Sequence, residues 1–292
     1  MTIRPRRSVL YMPGSNARAL EKAKTLPADA LILDLEDAVA PDAKAHARDQ
    51  VCAAVKAGGY GKRELVIRIN ALDTPWGKDD LAAAVAAAPD AILLPKPGSG
   101  ADIVAAADAL KSAPEKTRLW AMIETPFAIL NVQDIAAASR LSGTRLTCFV
   151  MGTNDLVKET RADLSASRRP ALYWLSATVT AARAYGLDVL DGVYNNFKDA
   201  DVFRRECVHG RALGFDGKTL IHPDQVAVAN EIFAPPEADV AWARKIIAAF
   251  DQPENKGKGV MTVEGRMVEL LHAEIGRRTV AIAEAIESMR TA

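Results

Sequence analysis

The sequence predicts a parallel (β/α)8 barrel of the TIM type with a C-terminal helical extension, and three observations carry that prediction. Eight short apolar runs read as strands buried on both faces, because they do not alternate polar with apolar residues. Ala-rich helical segments lie between them, which makes the strands parallel and the connections helical crossovers. The eight units together take up about 225 residues, close to the usual size of such a barrel. An open doubly wound sheet is the competing arrangement. The turn after the first strand, "YMPGSNAR", lacks the Gly-rich dinucleotide fingerprint that would favour it.

In chain order the strands are "RSVLYM" (7–12), "ALILDL" (30–35), "ELVIRIN" (64–70) and "AILLP" (91–95). They continue as "RLWAMIE" (118–124), "LTCFVM" (146–151), "LDVLDG" (187–192) and "KTLIHP" (218–223). Helices are expected at 42–57, 78–88, 101–112, 127–139, 168–185 and 198–212, with a further one after the first strand. The barrel is assigned to residues 1–233. After Phe233, "APPEADVAWARKIIAAF" has a proline-marked start and reads as a helix of about four turns. "DQPENKGKGV" (251–260) reads as a loop, followed by a short "MTVEGRMVE" (261–269) and a closing helix from about 270 to 289. This 234–292 segment is expected to be too small for a core of its own. It should pack as a lid on the barrel or on a neighbouring subunit.

Composition narrows the partners. Lys plus Arg number 37 and Asp plus Glu 37, so the net charge is zero and gives no support for nucleic acid or an acidic membrane surface. No signal core of adequate length follows the basic N-terminus, and no run approaches membrane-spanning length. Cys52, Cys148 and Cys207 are far apart and lack metal-type spacing. The plain reading is a reduced cytoplasmic protein.

In a barrel of this kind function is expected at the carboxyl ends of the strands. Those ends are rich in acid: Asp34, Glu36 and Asp37 after the second strand, Glu124 after the fifth, and Asp155 after the sixth. Arg68, Asn70 and Lys96 stand at the ends of the third and fourth. Neighbouring parallel strands lie about 4.8 Å apart, so Glu124 and Asp155 can aim at one small volume. Two carboxylates that close raise each other's pKa unless a cation sits between them. Two protein oxygens with open positions for water and substrate describe a Mg²⁺ site, with Mn²⁺ the alternative ion. The competing reading is that each acid only caps the helix that follows it.

Several stretches carry a resemblance: "RSVLYMPGSNARALEKA", "DALILDLEDAVAPDAK", "VIRIN", "IETPFAI", "GTNDL" and "DGKTLIHPDQV". In this order and over nearly the whole chain they resemble the citrate lyase β-subunit/malyl-CoA lyase family of the HpcH/HpaI aldolase superfamily. The resemblance implies a Mg²⁺-dependent barrel enzyme that makes or breaks a C–C bond between an acyl-CoA enolate and a 2-oxo acid such as glyoxylate or pyruvate. It implies Glu124 and Asp155 as metal ligands, Arg68 as the substrate-binding arginine, and Glu36 and Asp37 as the acidic pair ordering metal-bound water. Arg68 can pair with an enolate oxygen or a carboxylate, or form an ion pair with Asp34 or Glu36. Backbone N–H groups of Gly152, Thr153 and Asn154 can hold the 2-oxo acid's carboxylate at a helix start.

Arg18 and Lys22 share a helix face and are candidates for the CoA phosphates, against a merely solvated face. Arg161, Arg168 and Arg169 are alternatives, and Lys24 is close by. Lys96 and Lys218 could serve a Schiff-base aldolase, but the surrounding acid favours salt bridges for both. His222 is left outside the catalytic set. The family's C-terminal motif carries an aspartate acid/base that reaches a neighbouring subunit. Here the motif reads "GRMVELLH", so the matching residue is Glu269, and a homotrimer or hexamer is implied. The bland alternative for Glu269 is a solvated glutamate at a helix start. The leading expectation is therefore a Mg²⁺-dependent lyase of malyl-CoA or citramalyl-CoA type. The alternatives are a malyl-CoA thioesterase using the same site, and a citrate lyase β subunit acting on an acyl-carrier thioester.

Overall fold

Eight parallel strands pair in chain order and the last returns to the first, closing a barrel. They are β1 (Ser8–Pro13), β2 (Ala30–Asp34), β3 (Glu64–Arg68), β4 (Ala91–Leu94), β5 (Arg118–Ile123), β6 (Leu146–Met151), β7 (Asp188–Asp191) and β8 (Gly217–Leu220). Around them run α1 (Ala17–Ala23), α2 (Lys44–Ala57), α3 (Gly77–Ala87), α4 (Gly100–Ala109), α5 (Pro126–Leu130) and α6 (Val132–Ala137). The series continues with α7 (Thr153–Thr160), α8 (Leu172–Tyr185), α9 (Ala200–Leu213) and α10 (Val226–Phe233). The computed structural model describes residues 3–290, and its contacts divide them into this barrel unit from Arg6 to Phe233 and a second unit.

Every expected strand is present, and the closed sheet rules out the open alternative. The strands read as continuous apolar runs because both faces are covered. Val9, Ile32, Val66, Leu93, Trp120 and Val150 fill the barrel interior. Leu10, Leu31, Leu33, Ile67, Ile92 and Phe149 pack outward against the helices. At the amino end the Arg6 guanidinium lies over the Trp120 ring, 4.9 Å from its centroid, and pairs with Glu64 and Asp188. Charged side chains fill that end.

Local signals set the helix ends. Asn16 caps α1 by accepting from the Ala19 N–H, Thr125 caps α5 ahead of Pro126, and Ser99 with Asp102 forms a capping box on α4. The single helix expected at 127–139 is two short ones. Asn131 interrupts it, and its side-chain amide donates to the Gly98 carbonyl, a bond to a distant part of the chain that holds the break in place.

The second unit, residues 234–290 with 3–5, consists of α11 (Glu237–Phe250), the antiparallel pair β9 (Val260–Val263) and β10 (Arg266–Glu269), and α12 (Leu270–Arg290). The expectation that this piece lacks a core is corrected. Ile246, Phe250, Val268 and Ala273 form a small one, joined by Trp242, Met261 and Val263. The hairpin makes it possible: Glu264 and Gly265 both take positive φ at the turn, and Met261 is brought opposite Val268.

Candidate active site

Strand parity assembles the mouth of the barrel. Val9, Ile32, Val66 and Met122 face the interior, so two residues further on Tyr11, Asp34, Arg68 and Glu124 point the same way. Asp34 and Arg68 are register partners across β2 and β3. They meet in a two-pronged pair, Arg68 Nε to Asp34 Oδ1 at 2.7 Å and Nη2 to Oδ2 at 2.7 Å. The same carboxylate accepts from the N–H groups of Glu36 and Ala38, which fixes the turn carrying Glu36 and Asp37. Arg68 Nη1 donates to Asp37 Oδ2 at 3.3 Å and lies 2.9 Å from Glu36 Oε2. The latter pair is oblique, and Glu36 Oε2 remains a buried acceptor with no hydrogen-bond donor. The Tyr11 ring packs on the guanidinium at 4.9 Å, with its own hydroxyl buried and held neutral by that burial.

Glu124 is almost fully buried, and the chain turns tightly around it. A Cβ on Gly152 would stand 2.3 Å from the Glu124 Cβ, so only glycine lets the start of α7 pass so close. That passage places Asp155, in the first turn of α7, at the same mouth. Lys96 joins them. Its Nζ is 2.8 Å from Glu36 Oε1 and 3.8 Å from both Glu124 Oε1 and Asp155 Oδ1. Burial pushes the Glu124 carboxyl well above the usual range and the Glu36 charge adds to this, while Lys96 and Arg68 pull it back. Burial also raises Glu36, against the pull of Arg68 and Lys96. Burial alone would lower Lys96, but Glu124 and the hydrogen bond to Glu36 raise it.

This mouth suits a divalent cation. Its ion pairs set five carboxylates, Asp34, Glu36, Asp37, Glu124 and Asp155, against two cations, Arg68 and Lys96. The donors are all oxygen, the preference of Mg²⁺, and the donor-free Glu36 Oε2 is a ready acceptor for a bound water. Among the described residues no three His, Cys, Asp or Glu side chains converge into a complete cage. Glu124 and Asp155 are two carboxylates that share the Lys96 ammonium as a neighbour.

The other expected residues are placed as follows. Gly152 gives its N–H to the Ile123 carbonyl, which corrects its expected part in binding a carboxylate. Thr153 is buried, and the Asn154 amide exchanges hydrogen bonds with Asn195. Arg18 and Lys22 lie exposed on α1. Glu269 ends β10 in the second unit, where its N–H donates to His272 Nδ1. Arg168 is committed to Asp191 and is corrected as a phosphate candidate. Lys218 shares the parity of Leu220, on the helix side of the sheet, and is fully buried against Asp191 and Glu206. That position removes it as a nucleophile in the mouth. His222 stacks on Phe197 and accepts from the Asp224 N–H. Sequence reasoning missed Tyr11 and gave Asp34 no role of its own. Their positions two residues beyond interior strand residues were the signal.

Residues 7–223 match the family model described as HpcH/HpaI aldolase/citrate lyase. The chain belongs to that family. A (3S)-malyl-CoA thioesterase of Cereibacter sphaeroides is 50% identical over 282 residues, 97% of this chain and 96% of that protein. The citrate lyase subunit beta of Escherichia coli is 36% identical over 273 residues, 91% of this chain and 89% of that protein. Among solved structures, CitE from Mycobacterium tuberculosis, in complex with magnesium, acetoacetate and coenzyme A, superposes with a TM-score of 0.72 at 30% identity. That match covers 94% of this chain and 97% of the other.

Proposed function

We propose that this family member hydrolyses malyl-CoA-type thioesters to free CoA and the hydroxy acid, using Mg²⁺ held by Glu124 and Asp155. The observation that carries the reading is the 50% identity over 97% of the chain to a (3S)-malyl-CoA thioesterase. Sequence alone put the C–C lyase first and the thioesterase second; this similarity reverses the order. The lyase remains the second reading, favoured by the 36% identity to a citrate lyase subunit beta. The magnesium, acetoacetate and coenzyme A of the CitE complex support both the ion and the substrate class.

Bound there, the ion supplies Lewis-acid polarisation of a substrate oxygen. The chain does the rest. Arg68, immobilised by Asp34 and Tyr11, offers its Nη1 edge to a substrate carboxylate or a developing oxyanion. The N–H groups of Thr153 and Asn154 at the start of α7 supply further anion donors. Glu36 accepts from the attacking water through its donor-free Oε2, with Asp37 beside it at the exposed rim. The water adds to the thioester carbonyl carbon, the C–S bond breaks, and the water's proton ends on the CoA thiol. Arg18 and Lys22 receive the CoA phosphates. Glu269 is the acid/base group, contributed to a neighbouring subunit's site. Exposed Met267, Leu270, Leu271 and Ile275 around it, and Phe127, Leu130 and Tyr173 on the barrel, support a homo-oligomer. Three buried free cysteines are consistent with a cytoplasmic setting, and among the described residues no helix is long and apolar enough to cross a membrane.

The test is thiol release from malyl-CoA and citramalyl-CoA by the purified chain, with and without EDTA, and by Glu124→Gln and Asp155→Asn. EDTA and both substitutions should abolish release. Release that persists under EDTA contradicts the metal, and no release from either ester contradicts the activity.

A further inference from the structure

We propose that Lys96 is an internal cation that competes with the divalent metal for the same carboxylates and thereby sets how tightly the metal is held. The inference rests on the assignment of the metal to Glu124 and Asp155. Three carboxylates lie within 3.8 Å of its Nζ, and two of them are those ligands. A lysine ammonium is a compact charge with three donors on a flexible stem, so it can neutralise several acids at once. A divalent ion on the same oxygens would sit a few ångströms from that ammonium. Like charges at such a distance repel strongly where water is partly excluded.

The backbone at Lys96 makes this placement deliberate. Its φ is +51°, in the left-handed region that a non-glycine residue enters at a cost, between Pro95 and Pro97. This conformation accompanies two contacts from one residue: the N–H donates to Glu124 Oε1 at 3.0 Å while the side chain turns back to Glu36. The two contacts have different consequences. The N–H bond keeps Glu124 aimed whatever the side chain does. The ammonium, with 31% of its side chain exposed, has a path to withdraw toward solvent when a stronger cation arrives. An ordinary partly exposed salt bridge contributes little and would leave metal affinity alone.

The experiment is calorimetric titration of Mg²⁺ into the metal-stripped, full-length chain, comparing the parent, Lys96→Met, Lys96→Gln and Asp155→Asn. Both Lys96 variants should bind Mg²⁺ at least about tenfold more tightly, equivalent to about 1.4 kcal/mol. Mg²⁺ should also raise their melting temperature by more than it raises the parent's. A variant that folds only when Mg²⁺ is present supports the proposal, since the ion then replaces the lost ammonium. Equal or weaker affinity in both variants, with Asp155→Asn abolishing binding, overturns the role of Lys96 and leaves the metal assignment standing. Failure of both variants to fold even with Mg²⁺ also overturns it. Asp155→Asn binding Mg²⁺ like the parent would instead overturn the metal assignment itself.

Discussion

Arg68 shows how much one side chain depends on its neighbours. Its Nε and Nη2 are taken by Asp34, its face by Tyr11, and only the Nη1 edge looks toward Glu36 and Asp37. The ion-pair reading of this arginine is met by Asp34, and the substrate-binding reading rests on the Nη1 edge, which Glu36 and Asp37 also face. A lysine keeps the charge but cannot span Asp34 with two donors and still present a third. We predict that Arg68→Lys lowers kcat/KM at least tenfold, roughly 1.4 kcal/mol of transition-state stabilisation, in steady-state assays with malyl-CoA. Parent-like kinetics would make Arg68 purely structural. The mouth's acids were legible because they stand at the carboxyl ends of unbroken apolar strands, where function is expected in such a barrel. The backbone of Lys96 was not. Nothing in "LPKP" signals a positive φ, and a residue before proline is ordinarily extended.

Among the elements, β7 and β8 hold a second charged cluster, of which the sequence indicated a salt bridge for Lys218 but not its partners. Lys218, Asp191, Arg168 and Glu206 come from four separate segments and meet between the sheet and α9. At short strands such as β7 and β8, periodicity alone does not tell an inward polar residue from an outward one. Asp191 is fully buried, which by itself would raise its pKa, but Lys218 and Arg168 outweigh burial and hold it below the usual carboxylate value. A carboxylate lowered on folding contributes stability above its unfolded pKa, about 3.9 for Asp, and loses it as pH falls through the folded value. Asp191→Asn leaves the buried ammonium of Lys218 with one carboxylate instead of two. We predict a loss of about 3–5 kcal/mol at neutral pH in denaturant unfolding. The gap to the parent should narrow as pH drops below the ordinary aspartate range. A gap that stays constant there would mean that Asp191 is not held as a depressed carboxylate. The strands themselves were legible because each is an unbroken apolar run. The break at Asn131 was not, since it depends on a carbonyl at Gly98, far back in the chain.

For the whole molecule, Arg68, Glu124 and Asp155 lie in the barrel unit and Glu269 lies in the second unit. If Glu269 serves a neighbouring subunit, two inactive chains should repair each other. Glu269→Gln and Asp155→Asn mixed under subunit exchange should regain activity that neither has alone, because a mixed interface can assemble one complete site. Full activity of Glu269→Gln by itself would remove the acid/base role. Hydrolase and lyase diverge in products, not in residue types. A water that attacks the thioester and a retro-aldol cleavage can use the same acids and the same arginine, which is why the motifs alone do not separate them. The most direct test is the product balance from malyl-CoA and Mg²⁺, with free CoA, malate, acetyl-CoA and glyoxylate measured in one reaction. Hydrolysis predicts free CoA and malate in equal amounts, with little acetyl-CoA or glyoxylate. Acetyl-CoA and glyoxylate accumulating together, without matching free CoA, would contradict it.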